Sequence, residues 1–154
     1  MTITVIIGPP CAGKSTYTRE HATNDDVIVD FDRIATAFGA TEPHEASPAV
    51  RAVAFSARAT AIATILKGID TDSWIIHTTP SASWIKQYED ADAEMVTLDP
   101  GIDECLRRAA DDQRPEWTAD AIRAWYDTNA QKSPQARLRC ELALLGVTAS
   151  DPTP

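Results

Sequence analysis

Short apolar runs along this chain alternate with longer segments in which apolar residues recur at helical spacing. Four of the runs have the length and residue types of β-strands: Thr2–Ile7, Val27–Val29, Ser73–His77 and Glu94–Leu98. Parallel strands must be joined by a crossover of a dozen or more residues, and helix-forming segments of this kind separate the runs. The pattern therefore predicts an α/β fold with about four parallel strands flanked by helices.

The intervening segments predict helices. They are expected at Lys14 to about His21, just before Gly39, from about Ala49 to Leu66, at Ser81–Glu89, from Thr118 to about Asn129 and at Gln135–Leu145. One more helix should follow the fourth strand, with Asp99 as its N-cap and Pro100 in its first helical position. Thr118 is expected to cap the helix after that one.

The composition is that of one folded domain, which we expect over residues 1–146, followed by a flexible tail at 147–154. The chain has 154 residues, of which 44% are hydrophobic and 24% charged. No apolar run approaches the roughly 20 residues that span a bilayer, and no basic segment precedes the first strand. Three widely spaced cysteines match neither a disulfide framework nor a zinc site. We therefore expect a cytoplasmic protein without a membrane segment; the sequence does not set its oligomeric state.

The formal net charge of −9 argues against non-specific binding to long duplex nucleic acid, which needs a basic face. A nucleotide or a nucleic-acid end can still be held by a few arginines in a local cleft.

The segment after the first strand matches the pattern G-x-x-x-x-G-K-[ST] at every fixed position. Gly8 and Gly13 permit backbone angles that point successive N–H groups into one concavity, Lys14 can reach the β- and γ-phosphates of ATP, and the Ser15 hydroxyl can bind Mg²⁺. The predicted nucleotide-binding residues are Gly8, Pro9, Pro10, Cys11, Ala12, Gly13, Lys14, Ser15 and Thr16. Cys11 is interpreted as a small loop residue rather than a nucleophile, because the motif places no base beside it.

Two aspartates follow the second strand, Asp30 and Asp32. In a parallel sheet the carboxyl ends of the strands share one edge. Both residues should therefore lie at the edge that carries the loop Gly8–Ser15, which is called a P-loop. A kinase needs a carboxylate there to accept the proton of the attacking hydroxyl. We assign that role to Asp32 and a place near Mg²⁺ to Asp30. The alternative for either residue is to cap the following helix.

The third strand ends in Thr78-Thr79-Pro80 and carries no acid where a Walker B carboxylate would follow. Asp70 and Asp72 precede this strand and should lie at the opposite edge of the sheet. The missing acid therefore argues against motor and switch NTPases, which rely on a Walker B carboxylate. His77, at the end of the strand, is a candidate ligand or base, but a single histidine at a strand end is more often structural, and we interpret it so.

Arginines near a predicted helix break are candidates for a lid over the triphosphate. Arg108 and Arg114 are the two that we select; arginines in such a lid would neutralise charge that develops in the transition state. The alternative is a solvated helix face on which they pair with neighbouring acids, Asp103, Glu104, Asp111 and Asp112. Trp117, beside this segment, is a candidate for stacking on a base.

Together these residues resemble the kinase domain of bacteriophage-type 5′-polynucleotide kinases and related small P-loop kinases. The resemblance covers about Thr2 to Asp127 and rests on four features: Gly8–Ser15, the aspartate after strand two, the polar end of strand three, and arginines followed by Ile122-Arg123-Ala124-Trp125-Tyr126. It implies a P-loop kinase fold with an Arg-bearing lid, Asp32 as general base, and a lid arginine at or near Arg108 with a second near Arg114. One departure is that only Arg33 is basic in the turn after Asp32.

The resulting hypothesis is an ATP- and Mg²⁺-dependent phosphotransferase. Its acceptor would be a hydroxyl of a nucleic-acid 5′ end, a hydroxymethylated base, a nucleoside or a nucleotide. The long helical segment between strands two and three is a natural place for the acceptor site. Arg33, Arg51 and Arg58 lie in it as candidates for holding an acceptor phosphate, and the alternative for each, at least equally favoured, is an ordinary surface arginine. The alternative is an NTP-binding regulatory or interaction protein with little catalysis.

Overall fold

A computed structural model describes residues 1–42 and 44–129. The strands are β1 (Ile3–Ile7), β2 (Val27–Val29), β3 (Ser73–His77) and β4 (Glu94–Thr97). The helices are α1 (Lys14–His21), α2 (Phe31–Ala37), α3 (Pro48–Leu66), α4 (Ala82–Asp90), α5 (Ile102–Asp111) and α6 (Trp117–Asn129). The strands form one sheet in the order β2-β3-β1-β4, and every pairing is parallel. The predicted α/β class is therefore confirmed.

Residues 1–98 form one compact unit, built around the sheet. Its core contains Val5 of β1, Ile75 of β3 and Ile62 of α3, none of which is exposed to solvent. Apolar burial of this kind is the main term that holds helices onto a sheet. Because β1, β2 and β3 run parallel, their carboxyl ends share one edge, where the residues after Ile7, Val29 and His77 meet.

A second compact unit begins at Asp99 and contains α5 and α6. Its buried apolar residues include Cys105, Ile122 and Trp125. The hydroxyl of Tyr126 donates a hydrogen bond of 2.6 Å to Asp99 Oδ1, which ties α6 to the start of the unit. The predicted single domain over 1–146 stays a prediction, and the predicted tail at 147–154 lies outside the described residues.

Two predicted helix starts are wrong. Helix α5 begins at Ile102 with Gly101 as its N-cap, not at Pro100, because Asp99 uses Oδ1 to accept hydrogen bonds from the Gly101 N–H and the Tyr126 hydroxyl. Thr118 lies inside α6, buried, rather than at its cap. The helix predicted at Gln135–Leu145 falls outside the described residues.

Within the described part of the chain, α3 has the length and composition of a membrane-spanning helix, although the sequence pattern predicted no such segment. A long helix of a soluble core meets the same two criteria, so this is weak evidence. Ile62 and Ile65 of α3 belong to the hydrophobic core against the sheet. Arg58, one turn earlier in the same helix, is also buried. We therefore describe α3 as a helix packed on α2 and β2.

Candidate functional site

The loop between β1 and α1 has the backbone that its glycines allow. Gly13, the N-cap of α1, has φ 94° and ψ 17°, a left-handed conformation that glycine adopts without steric cost. A Cβ atom on Gly8 would lie 2.5 Å from the carbonyl oxygen of Leu98, so only glycine fits where the loop passes the end of β4. The chain thus turns tightly from the sheet into the N-terminus of a helix, which is the arrangement that binds phosphate.

Lys14 lies inside this loop. Its side chain donates hydrogen bonds from Nζ to the carbonyl oxygens of Gly8, at 2.8 Å, and Pro9, at 2.6 Å, and the residue is only 8% exposed. A buried ammonium group requires polar partners of this kind. The loop therefore holds a positive charge at its centre, directly before α1.

Asp30 joins the loop to the second strand. Its Oδ2 accepts a hydrogen bond from the Ser15 hydroxyl at 3.2 Å, and its Oδ1 accepts one from the backbone N–H of Asp32 at 3.1 Å. Asp30 is therefore the N-cap of α2 and at the same time a partner of Ser15. The sequence interpretation treated capping and a functional role as alternatives, whereas the two carboxylate oxygens allow both.

The Ser15 hydroxyl and the Asp30 carboxylate are hard oxygen donors, the ligand type that Mg²⁺ prefers. They lie next to the loop expected to hold phosphates, and Ser15 is exposed. These two residues fit a magnesium ion that takes its remaining ligands from phosphates and water. Among residues 1–42 and 44–129, no three His, Cys, Asp or Glu side chains form a metal-binding group of their own.

Asp32, the predicted base, is the second residue of α2 and its side chain is 37% exposed. Its Oδ2 lies 2.8 Å from Nδ1 of His44, in the loop between α2 and α3. The sequence reasoning missed His44, because a single histidine in a loop shows no periodicity or spacing that relates it to Asp32.

A buried polar cluster lies at the carboxyl end of β3. Arg58 of α3 is 8% exposed and donates a hydrogen bond of 2.7 Å to the Ile76 carbonyl, while its Nε has no hydrogen-bond partner. Burial lowers the pKa of Arg58, and the nearby Tyr88 and Asp30 oppose that shift. Arg58 thus places positive charge close to Asp30 rather than on the surface.

His77 belongs to the same cluster. Its Nδ1 is 2.9 Å from the Tyr88 hydroxyl, and its ring packs edge-on against Trp84 and Tyr88. Burial, with a smaller contribution from the Arg58 charge, lowers the pKa of His77 to about 4. The ring is neutral at pH 7, which agrees with the structural interpretation of this residue.

The predicted lid arginines lie in the unit that begins at Asp99. Arg108 Nε donates to Glu104 Oε1 at 2.7 Å, and Arg114 Nε is 3.6 Å from Asp112 Oδ2. Hydrogen bonds from Arg107 and Arg108 lower the pKa of Glu104 to about 2. These are the acid pairs expected of a solvated helix face, and the lid role stays a prediction.

Three further candidate side chains, two arginines and a tryptophan, are exposed. Arg33 and Arg51 lie on the surfaces of α2 and α3, and Trp117 at the start of α6 is 51% exposed. An aromatic pair not singled out from the sequence adjoins the two aspartates: Phe31 lies between Asp30 and Asp32 in the chain, and its ring centroid is 4.5 Å from that of Phe55 on α3. Phe55 is 52% exposed.

Among solved structures, the chain is similar to P-loop kinases. It matches a chain of the Pnkp1/Rnl/Hen1 RNA repair complex with a TM-score of 0.63 and 16% identity over 86% of its own length, and spans about half of that chain, 46%. It matches shikimate kinase from Acinetobacter baumannii, in complex with shikimate, with a TM-score of 0.59 and 17% identity over 97% of this chain and 96% of that one.

A third match is the tunicamycin resistance protein of Deinococcus radiodurans, with a TM-score of 0.53 and 12% identity over 99% of this chain and 100% of that one. No protein-family model and no curated protein matches the sequence. Likeness at these identities shows the fold, so the chain has the fold of a kinase-type P-loop NTPase.

Proposed function

We propose that this protein is an ATP- and Mg²⁺-dependent kinase that transfers the γ-phosphate to a hydroxyl of a nucleic-acid substrate, nucleoside or nucleotide. The observation that carries the proposal is the connected series Ser15–Asp30–Asp32 beside the phosphate-binding loop. These residues would join a nucleotide site, a magnesium site and a partly exposed carboxylate at one edge of the sheet. A protein that only bound nucleotide would not need the last of these.

In the proposed reaction, the loop N–H groups and Lys14 hold the phosphates, together with the N-terminus of α1. The acceptor oxygen attacks the γ-phosphorus, a new O–P bond forms, and the bond to the β–γ bridging oxygen breaks as ADP leaves. Asp32 accepts the proton of the attacking hydroxyl. Ser15 and Asp30 would hold Mg²⁺, which would neutralise charge on the phosphates.

The aromatic pair Phe31–Phe55 supports an acceptor with a flat ring. Phe55 offers an exposed ring face next to the segment that carries Asp32. Stacking of a base on an aromatic side chain contributes about 1–3 kcal/mol, without demanding one particular base. We therefore include 5′-OH oligonucleotides, hydroxymethylated bases, nucleosides and nucleotides among the acceptors.

The decisive experiment incubates the protein with γ-labelled ATP, Mg²⁺ and a panel of such acceptors. Asp32→Asn should abolish label transfer, because an amide cannot take the proton, and should leave ATP binding within about twofold of wild type. Asp103→Asn, an exposed acid on α5, is the matched control and should transfer label normally. Undiminished transfer by Asp32→Asn contradicts the assignment.

A second candidate is an NTP-binding regulatory or interaction protein with little catalysis. It is favoured by the end of β3, where Thr78, Thr79 and Pro80 stand in place of a Walker B acid. Wild-type protein that binds ATP but labels no member of the panel supports this candidate over the kinase.

A further inference from the structure

We infer that His44 is a positioning residue for the base: its Nδ1–H donates a hydrogen bond to Asp32 Oδ2 and fixes the carboxylate for proton transfer. This inference rests on the proposed kinase function, and it adds a residue to which neither the sequence motifs nor the comparisons assign a role.

The chemistry of the carboxylate decides which residue donates in the hydrogen bond between His44 and Asp32. An ionised carboxylate can only accept, so the 2.8 Å contact requires the proton to be on Nδ1 of His44. In the neutral imidazole this selects the Nδ1–H tautomer; the imidazolium carries the same proton. It also engages Oδ2 of Asp32, so we assign acceptance of the substrate proton to Oδ1.

The need for such a partner follows from the position of Asp32. Its backbone is held, because its N–H donates to the Asp30 carboxylate and it lies in the first turn of α2. Its side chain is 37% exposed, however, and an exposed aspartate samples several rotamers. A hydrogen bond from His44 selects one of them, and misplacing a catalytic group by about 1 Å can cost about 100-fold in rate.

The backbone of His44 indicates that tertiary structure holds this residue in place. Its φ is 71°, in the left-handed region that non-glycine residues seldom occupy and that costs about 1–3 kcal/mol. The His44 side chain is 24% exposed and that of Asp32 37%, so both remain accessible to solvent. The loop between α2 and α3 thereby contributes a side chain that contacts the proposed base.

The test compares His44→Ala with His44→Asn in the γ-labelled ATP assay. Asn places an N–H donor close to the position of Nδ1, so we expect His44→Asn to keep kcat within about threefold of wild type, whereas His44→Ala loses about 10- to 100-fold in kcat. The KM for ATP should be unchanged in both variants. His21→Ala, which removes an exposed histidine that bonds the Tyr17 carbonyl on α1, is the matched control and should retain wild-type kcat.

An active wild-type enzyme whose His44→Ala variant keeps full kcat overturns the inference and leaves the kinase function standing. Equal losses in His44→Ala and His44→Asn also overturn it, because the ring and not the hydrogen-bond donor would then matter. Absence of transfer by the wild type on every acceptor overturns both proposals together.

Nitrogen NMR gives an independent readout. The Nδ1-protonated tautomer should dominate at His44 and give way to a mixture in Asp32→Asn. A dominant Nε2-protonated form in wild type contradicts the hydrogen bond.

Discussion

At the scale of single residues, His77 shows how burial decides what a titratable group does. An imidazole at the end of a strand beside an expected active site is a natural candidate for a base. Its ring instead packs against Trp84 and Tyr88, and its pKa falls to about 4 because burial penalises the charged form. His77 therefore contributes to stability and its dependence on pH.

In the unfolded chain this imidazole takes up a proton below its ordinary pKa of 6.5, whereas in the folded protein it resists protonation until about pH 4. The unfolded state binds more protons between these values, so the free energy of unfolding falls as pH falls through this window. The full shift corresponds to about 3 kcal/mol, and partial exposure of the ring reduces this to about 1–2 kcal/mol. The variant His77→Gln should lose this part of the pH dependence.

Urea denaturation at pH 7.5 and pH 5 measures the effect as the difference between the two free energies of unfolding. His21→Gln, at an exposed histidine, is the control and should behave as wild type. Equal differences for wild type and His77→Gln would show that the imidazole is not responsible.

At the scale of elements, the phosphate-binding loop is packed against the end of an edge strand. Gly8 lies so close to the Leu98 carbonyl that a methyl group cannot enter without displacing backbone. Gly8→Ala should lower the free energy of unfolding by about 2–3 kcal/mol. Gly39→Ala is the matched control: its φ is 101°, but beyond its own chain neighbours no described residue places an atom within 4 Å of the added Cβ, so only backbone strain of about 1 kcal/mol is expected. Equal losses in the two variants, measured by urea denaturation, would contradict the close approach.

At the scale of the whole molecule, the unit that begins at Asp99 carries the two arginines predicted to act on the phosphates, Arg108 and Arg114. Arg107 and Arg108 are adjacent on α5 and both bond Glu104, so they form a matched pair of variants. If Arg108 acts on the phosphates, Arg108→Gln should lower kcat by about 10-fold or more, and Arg107→Gln should change it by less than about twofold. Both variants should unfold at close to the wild-type urea concentration, since exposed ion pairs contribute little to stability. Equal kcat values for the two variants in the γ-labelled ATP assay would remove Arg108 from the mechanism.

The elements and the phosphate-binding loop could be predicted from the amino-acid sequence, because both depend on neighbouring residues. Strand β3 and helix α1 lie where their apolar pattern and the loop glycines predict them, and Gly13 has the left-handed backbone expected of it. The start of α5 was not predictable in this way, because Asp99 bonds Tyr126, which lies 27 residues further along the chain.

Which side chains meet depends on the tertiary structure. It gave Asp30 two hydrogen-bond partners, buried Arg58 beside it, made His77 a packed neutral ring, and brought His44 to Asp32. Contacts between residues distant in the chain depend on how helices and loops fold back over the sheet, and no local pattern encodes them. The sequence therefore predicted the loop at which we expect phosphate to bind, and the fold supplied the histidine that we propose positions the base.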